Sequence, residues 1–417
     1  MRVYQRPGTE AEKDIEAKIL SINGIPRYSS RRKRSRKYRF YIYHFEVIGL
    51  FHNTTSIEAQ PWLKEKSKQK ERWARISANK LSKEVLKAKK LALRTLYILG
   101  YDLGMVEVSV HASAPQYTIS KIFYHEAVAK ELQSQLEKNR KSEEEKSISF
   151  GGQTSMLGAD LEVALRSTNG KFVLASKYFT KKGRVGHDAI WLKGQRSSYP
   201  LVELRPEPSN CPRTLFKNIR SCLKKGVKKV NSSSIQWLAG GCPLKNYPIG
   251  GHIHFSKIAL TPHFIRVLDN YLALPLRCLE SKESIARRPK YGYLGDYREQ
   301  YHGGFEYRTP PSWITHPRIA KGVLCLAKVL TKEQKNLNWF PLNSEEVQLS
   351  FYKEDTEGLY PIVKNVWSQL QATTTYEAYA EELNSFYELI EQRYVWDEFA
   401  DIRAAWAISP YSAKNMV

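Results

Sequence analysis

Between residues 156 and 308 the chain repeatedly sets ionisable side chains two positions apart inside otherwise apolar runs. Asp160 and Glu162 stand so in GADLEVAL, Glu203, Arg205 and Glu207 in PLVELRPEPS, His252 and His254 in GGHIHFS, and Glu306 and Arg308 in GGFEYRTPPSW. Side chains two apart share a face of a β-strand and point well apart on a helix, so this spacing predicts strands with one polar face. The helical signals lie between them, in CPRTLFKNIRSCLKKGVKKV and TPHFIRVLDNYLALPLRCLES, both opened by proline-containing turns. Strands separated by helices in this pattern predict an α+β chain rather than a bundle or a sandwich.

Taken singly, each motif has an ordinary explanation. An acidic solvent face accounts for Asp160 and Glu162, a surface ion-pair ladder for Glu203, Arg205 and Glu207, and exposed strand histidines for His252 and His254. Taken together they fall within fewer than 200 residues and supply carboxylates, imidazoles and arginines, the last reinforced by Arg287, Arg288 and Arg298 in RRPKYGYLGDYR. Paired carboxylates repel unless a cation lies between them, and hard oxygen-binding ions such as Mg²⁺ serve that purpose. Guanidinium groups hold phosphates and carboxylates with two bonds and a permanent charge. The set suits a nucleotide triphosphate bridged by divalent ions. No GxxxxGK[ST], GxGxxG, GxSxG or HExxH motif occurs, which removes the main support for P-loop, Rossmann, hydrolase-elbow and zincin readings.

The 417 residues predict more than one domain. We expect a basic N-terminal α+β domain over 1–125, a helical polar linker over 126–153, a catalytic domain over 154–332 and a helical C-terminal segment over 333–417. In the first, RRKRSRK precedes the strand YRFYIYHFEV, 62–80 is helix-permissive, a helix from Leu81 stops at Gly100, and two strands bend around Pro115. The formal charge is +24, from 66 Lys and Arg against 42 Asp and Glu. That balance attracts polyanions, and residues 31–40 are the place for such a contact. Five cysteines without a CxxC pair argue against a zinc knuckle and for reduced, buried thiols. With no long apolar run, the expectation is a cytoplasmic chain with no membrane contact.

The order of the segments GADLE, ELRPEPS, GGHIHFS, RRPKYGYLGDYR and FEYRTPPSW resembles the glutamine-synthetase-like amidoligases, in particular the phage-type COOH-NH2 ligase (type 2) family. The resemblance covers about 155–332. It implies a curved antiparallel sheet with flanking helices and an ATP- and Mg²⁺- (or Mn²⁺-) dependent ligase. Such an enzyme joins a carboxylate substrate to an amine substrate, whether amino acid, peptide or cell-wall material, through an acyl phosphate, and homo-oligomers occur in the superfamily. Residue by residue it implies Asp160, Glu162, Glu203, His252 and Glu306 as metal ligands, Glu203 also serving the amine, with Asp188 beside it. It implies His254, Arg288 and Arg205 at the nucleotide, and Arg298 and Arg308 as clamps on phosphate and acyl phosphate. Asp160 stands where glutamine synthetases carry glutamate, one methylene longer. The paired glycines before His252 are expected to let backbone approach the nucleotide. Two other readings remain open on the residues alone: a nucleic-acid-binding protein using the basic N-terminal segment, and a metallohydrolase using the same carboxylates and histidines.

Overall fold

A computed structural model describes residues 10–28, 35–54, 72–77, 81–111, 116–124, 130–150, 153–190, 198–245, 247–301, 303–354 and 356–409. The chain forms two compact units, Met1–Ser149 and Phe150–Val417.

The first unit holds helices α1 (Glu10–Ile22), α2 (Lys83–Ile98) and α3 (Lys130–Phe150) with strands β1 (Ser35–Tyr43), β2 (Glu46–Asn53), β3 (Trp73–Arg75), β4 (Leu103–His111) and β5 (Tyr117–Tyr124). The strands make one antiparallel sheet in the order β3-β2-β1-β4-β5. Alternation explains its core: Phe40, Ile42, Val106 and Val108 are buried, and α2 buries Ala88, Ala92 and Leu96 as it packs on β4 and β1. Ser82 caps α2 by accepting from the Val85 amide, and Gly100 follows its end with a positive φ. The bend at Pro115 and most of 62–80 lie outside the described residues. Where 62–80 is described it departs from the helical reading, because Trp73–Arg75 pairs with β2 as an edge strand and the Arg39 guanidinium lies 3.7 Å over the Trp73 ring. Arg31–Arg34 are likewise outside the described residues. Of the basic residues that follow them, Arg36 pairs with Glu84 and Arg39 with buried Glu107 at 2.9 Å. In the stretch read as a linker, α3 buries Leu132 and Leu136, with Leu132 methyls against Gly49 of β2.

The second unit is built on β6 (Met156–Ser167), with β7 (Phe172–Val173), β8 (Val185–Ile190), β9 (Ser198–Leu204), β10 (Ile235–Leu238), β11 (Gly251–Ser256), β12 (Tyr297–Glu299) and β13 (Phe305–Tyr307). The order is β12-β13-β11-β6-β9-β8, with β7 and β10 also paired to β6, all antiparallel. Helices α4 (Pro212–Val230), α5 (Pro262–Leu268), α6 (Leu274–Arg277), α7 (Pro317–Glu333), α8 (Glu345–Tyr352), α9 (Tyr360–Gln371), α10 (Ala380–Glu391) and α11 (Ile402–Ala405) complete it. This is the α+β class expected, an open antiparallel sheet with flanking helices.

One face of the sheet is apolar. Phe255 of β11 stacks on Phe305 of β13 at 5.3 Å, and both meet Phe264 of α5 edge-on. Trp237 of β10 lies against Gly226 of α4. The C-terminal residues join the same unit. Arg213 of α4 makes a two-point ion pair with Glu382 of α10, and Arg318 of α7 donates to Ser385 and Glu388. All five cysteines are free and four are buried, as expected. No helix among the described residues is long and apolar enough to cross a membrane.

Gly322 lies inside α7, where a Cβ would approach Phe386 Cβ to 2.4 Å. Alanine would gain about 1 kcal/mol of helix propensity but overpack the α7–α10 contact by about 1–3 kcal/mol, and Phe386 Cβ cannot swing away. Urea denaturation of Gly322→Ala is therefore expected to show a net loss of up to about 2 kcal/mol; a more stable variant would show that the helices separate freely.

Candidate active site

The polar face of the second sheet is assembled by register. Residues opposite one another in antiparallel strands share a face, and His252 lies opposite Asp160, Glu306 opposite His254, Arg298 opposite Glu306, and Glu203 opposite Glu162. Five motifs thus become one band running across β12, β13, β11, β6 and β9. Gly158 of β6 lies opposite His254, where an added Cβ would stand 3.3 Å from the histidine Cβ.

At one end of the band Glu306 is fully buried and surrounded by cations. His252 Nδ1 lies 2.9 Å and Arg308 Nη1 3.4 Å from its Oε1. Arg298 Nε donates to Oε2 at 2.7 Å and Gln300 Nε2 at 3.0 Å. Burial by itself would raise the Glu306 carboxyl; the hydrogen bond and charge of His252, with Arg308 and Arg298, outweigh it and hold the group down at about 2. His254 Nε2 lies 3.1 Å from Asp160 Oδ2. These short contacts are not all well directed, since Glu306 Oε1 and His254 Nε2 are buried without an aligned hydrogen bond.

At the other end Glu162 is fixed from both sides. Its amide donates to the Gly250 carbonyl at 3.0 Å, and the Gly250 amide donates to Glu162 Oε2 at 2.6 Å. Burial pushes its carboxyl up, the charge of His252 and the Gly250 bond oppose that, and Asp188 of β8 pushes it up further. On β8 it is Gly186 that lies opposite Glu203, and Asp188 lies opposite Leu201. Glu203 is buried and ion-paired with Arg205, which also donates to the carbonyls of Lys181 and Gly183 at 3.1 and 3.2 Å. Arg205 occupies space that only glycine leaves at position 186, directly opposite Glu203.

Two expectations change. Arg288 does not reach this face: its side chain is 1% exposed, donates to both oxygens of Glu280 at 2.5 and 2.7 Å, and lies over Phe351. Its neighbour Arg287 is the guanidinium directed toward the site. It donates to the carbonyls of Thr309 and Arg308 at 2.7 and 3.1 Å and adds positive charge near Glu162, while burial lowers it to about 10. A glycine at 292 leaves it room. The glycine pair before His252 also has a different purpose from the one expected. A Cβ at Gly250 would come within 2.3 Å of His252 Nε2, and one at Gly251 within 2.4 Å of the Pro311 carbonyl. They make room for the imidazole and the neighbouring chain.

Among the described residues no three Asp, Glu, His or Cys side chains close on one point as a finished metal cage. The donor set nevertheless fits a hard divalent ion. It offers carboxylates from Asp160, Glu162, Glu203 and Glu306 and imidazoles from His252 and His254, and it includes buried acceptor atoms without an aligned partner.

No curated protein matches the chain. Among solved structures it is similar to a bifunctional glutathione synthetase from Pasteurella multocida, at 10% identity over 64% of this chain and 53% of that one, TM-score 0.37. It is also similar to a Plasmodium falciparum glutamine synthetase, at 10% identity over 94% and 97%, TM-score 0.35. The chain thus spans about half the length of the glutathione synthetase. Residues 157–408, which include every strand of the polar band and the C-terminal helices, match the family described as phage phiEco32-like COOH.NH2 ligase-type 2. A match over more than half the chain places it there: the protein belongs to the phage phiEco32-like COOH.NH2 ligase-type 2 family of carboxylate–amine ligases.

Proposed function

We propose that the protein uses ATP and Mg²⁺ or Mn²⁺ to join a carboxylate to an amine through an acyl phosphate. The observation that carries the reading is the shared face of Asp160, Glu162, Glu203, His252, Glu306 and Arg298, which cross-strand register unites from five separate motifs. In this reading the acid's carboxylate oxygen attacks the γ-phosphorus of ATP and ADP leaves. The amine then attacks the acyl carbon, the C–O bond to phosphate breaks, and an amide and inorganic phosphate result.

Asp160, Glu162, Glu203, His252 and Glu306 would hold the divalent ion, which when bound supplies charge neutralisation for the phosphate oxygens. Arg308 and Arg298 donate to oxygens that gain charge during transfer. Arg205, locked onto Glu203, keeps that carboxylate in place to accept a proton from the attacking ammonium. His254 borders the nucleotide, while Arg287, buried and bound to two backbone carbonyls, acts on the site through its charge. The acid and amine are of the amino-acid, peptide or cell-wall class.

The deciding assay measures ADP and phosphate release from mixtures of acids and amines. Release that needs ATP, Mg²⁺, an acid and an amine together is expected, with Glu162→Gln losing nucleotide binding in the presence of Mg²⁺. Hydrolysis of an amide substrate without ATP, surviving Arg308→Ala, would sink the proposal in favour of a metallohydrolase.

Arg298 has a distinguishable signature. It is half-exposed and pairs with Glu306, so it competes with a cation for that carboxylate. Calorimetry on Arg298→Ala is expected to show tighter Mn²⁺ binding, while turnover falls about 10²-fold for want of the phosphate donor. Weaker Mn²⁺ binding would contradict the competition.

Glu306 also has a signature in stability. A carboxyl depressed from 4.5 to about 2 contributes stability that is present above pH 4.5 and lost as pH falls toward 2. For a side chain this buried the contribution is on the order of 3 kcal/mol. Glu306→Gln is expected to be less stable than wild type by chemical denaturation at pH 6, with the deficit shrinking at pH 3. An equal deficit at both pH values would mean that the charge on Glu306 does not stabilise the fold.

A further inference from the structure

The carboxylate of Glu398, in the C-terminal residues and more than 150 positions from the turn it binds, is buried in the second unit and accepts four hydrogen bonds. They come from the amides of Gly241 at 2.6 Å and Cys242 at 2.7 Å, the Ser284 hydroxyl, and Trp396 Nε1 at 3.4 Å. Its surroundings are shaped to it. Gly240 has φ of +116°, and a Cβ there would lie 2.7 Å from Glu398 Cγ and Cδ; a Cβ at Gly241 would lie 2.7 Å from Ser284 Cα. Gly240 of AGGCP is therefore required by a side chain from the far end of the chain, and Gly241 by the close approach of Ser284.

The turn that Glu398 grips is hydrogen-bonded to the segments that hold Glu162. The Gly241 carbonyl accepts from the Ile249 amide at 2.9 Å, and the next amide, that of Gly250, donates to Glu162 Oε2 at 2.6 Å. Gly240 exchanges both backbone hydrogen bonds with Ser312, at 2.9 and 2.8 Å, and the Ser312 hydroxyl donates to the Glu162 carbonyl at 2.6 Å. Ser284 lies on the 3₁₀ turn Lys282–Arg287, which carries the Arg287 guanidinium toward Glu162. Two hydrogen-bonded paths thus lead from the Gly240–Cys242 turn to Glu162, and the segment that carries Ser284 also bears the positive charge of Arg287.

We propose that Glu398 is a positioning residue of the ligase site, holding the Gly240–Cys242 turn, Ser312 and Arg287 in the arrangement that fixes the Glu162 side chain for its ligand. This deepens the reading of Glu162 as a metal ligand and rests on it. Removing a group that orients a metal ligand costs about ten- to a hundredfold in metal affinity. Glutamine is nearly isosteric with glutamate, yet its NH₂ would face one of the donor N–H groups, so Glu398→Gln breaks the grip while conserving volume.

The test uses the full chain and two readouts: calorimetric titration with Mn²⁺ alone, and amide hydrogen exchange over 240–251. Glu398→Gln is expected to bind Mn²⁺ about ten- to a hundredfold more weakly and to exchange faster at Gly250. Should that variant fail to fold, Ser284→Ala removes a single donor and is expected to shift both readouts in the same direction by less. Gly322→Ala, destabilised at a distance, is expected to leave both unmoved, which separates positioning from a general loss of stability. Wild-type affinity and wild-type protection at Gly250 in a folded Glu398 or Ser284 variant would overturn the inference. If wild type binds no Mn²⁺, the metal reading of Glu162 fails by itself, and the exchange arm alone then decides whether Glu398 positions Glu162.

Discussion

The register of β6 is the constraint on which the second unit depends. This strand pairs with β11 and β10 and with β9 and β7, so the side of the sheet on which its side chains fall decides the side for the rest. A slip by one residue would send Asp160 and Glu162 into the layer occupied by Phe255, Phe264 and Trp237, and would bring Leu161 and Val163 to the polar side. Burying two unpaired carboxylates among aromatic rings costs several kcal/mol each, whereas the observed register surrounds the acidic side chains with imidazole, guanidinium and backbone amide groups. The arrangement that stabilises the fold is the one that assembles the band.

That link between pattern and register explains what could be read in advance. The period-two spacing in GADLEVAL, PLVELRPEPS, GGHIHFS and FEYRT is a local property, and it was enough to name the strands and their polar face. Which strand lies beside which is a non-local property: the family resemblance grouped these residues into one site, but the pairing of His252 with Asp160 or Arg298 with Glu306 was legible only in the folded register. The choice between Arg287 and Arg288 was not legible. Adjacent arginines point in different directions, and the deciding partner, Glu280, carries no pattern that marks it. The glycines of GGHIHFS misled for a similar reason. Glycine signals a close approach without saying of what, and here His252, Pro311 and Glu162 claim the space that a nucleotide was expected to need. Glu398 was invisible because its ligands are backbone amides, which every residue supplies. The only local trace of it is Gly240.

The charge arrangement of the band has a logic of its own. Acid and base lie side by side in pairs: Glu306 with His252, Arg298 and Arg308, Asp160 with His254, and Glu203 with Arg205. Each buried carboxylate thereby avoids the desolvation cost of standing alone, which lets so many acidic groups share one sheet face. Glu162 differs. Its nearest support is the dipole of one amide, with Arg287 and His252 acting at longer range and Asp188 opposing them, so burial leaves its carboxyl raised. Of the carboxylates in the band, it gains most from an arriving cation.

The same pairs make ligand binding an exchange rather than an addition. In the proposed reaction, an ion that took an oxygen of Glu306 would weaken its bonds to Arg298 and free that half-exposed guanidinium for phosphate. Arg308 lies 3.4 Å from the other oxygen of the same carboxylate, on a backbone whose amide donates to the Asp296 carbonyl at 2.8 Å. A guanidinium released only when the ion binds would couple occupancy of the metal site to readiness for phosphate, since the positive charge that Glu306 had quenched becomes available where negative charge develops.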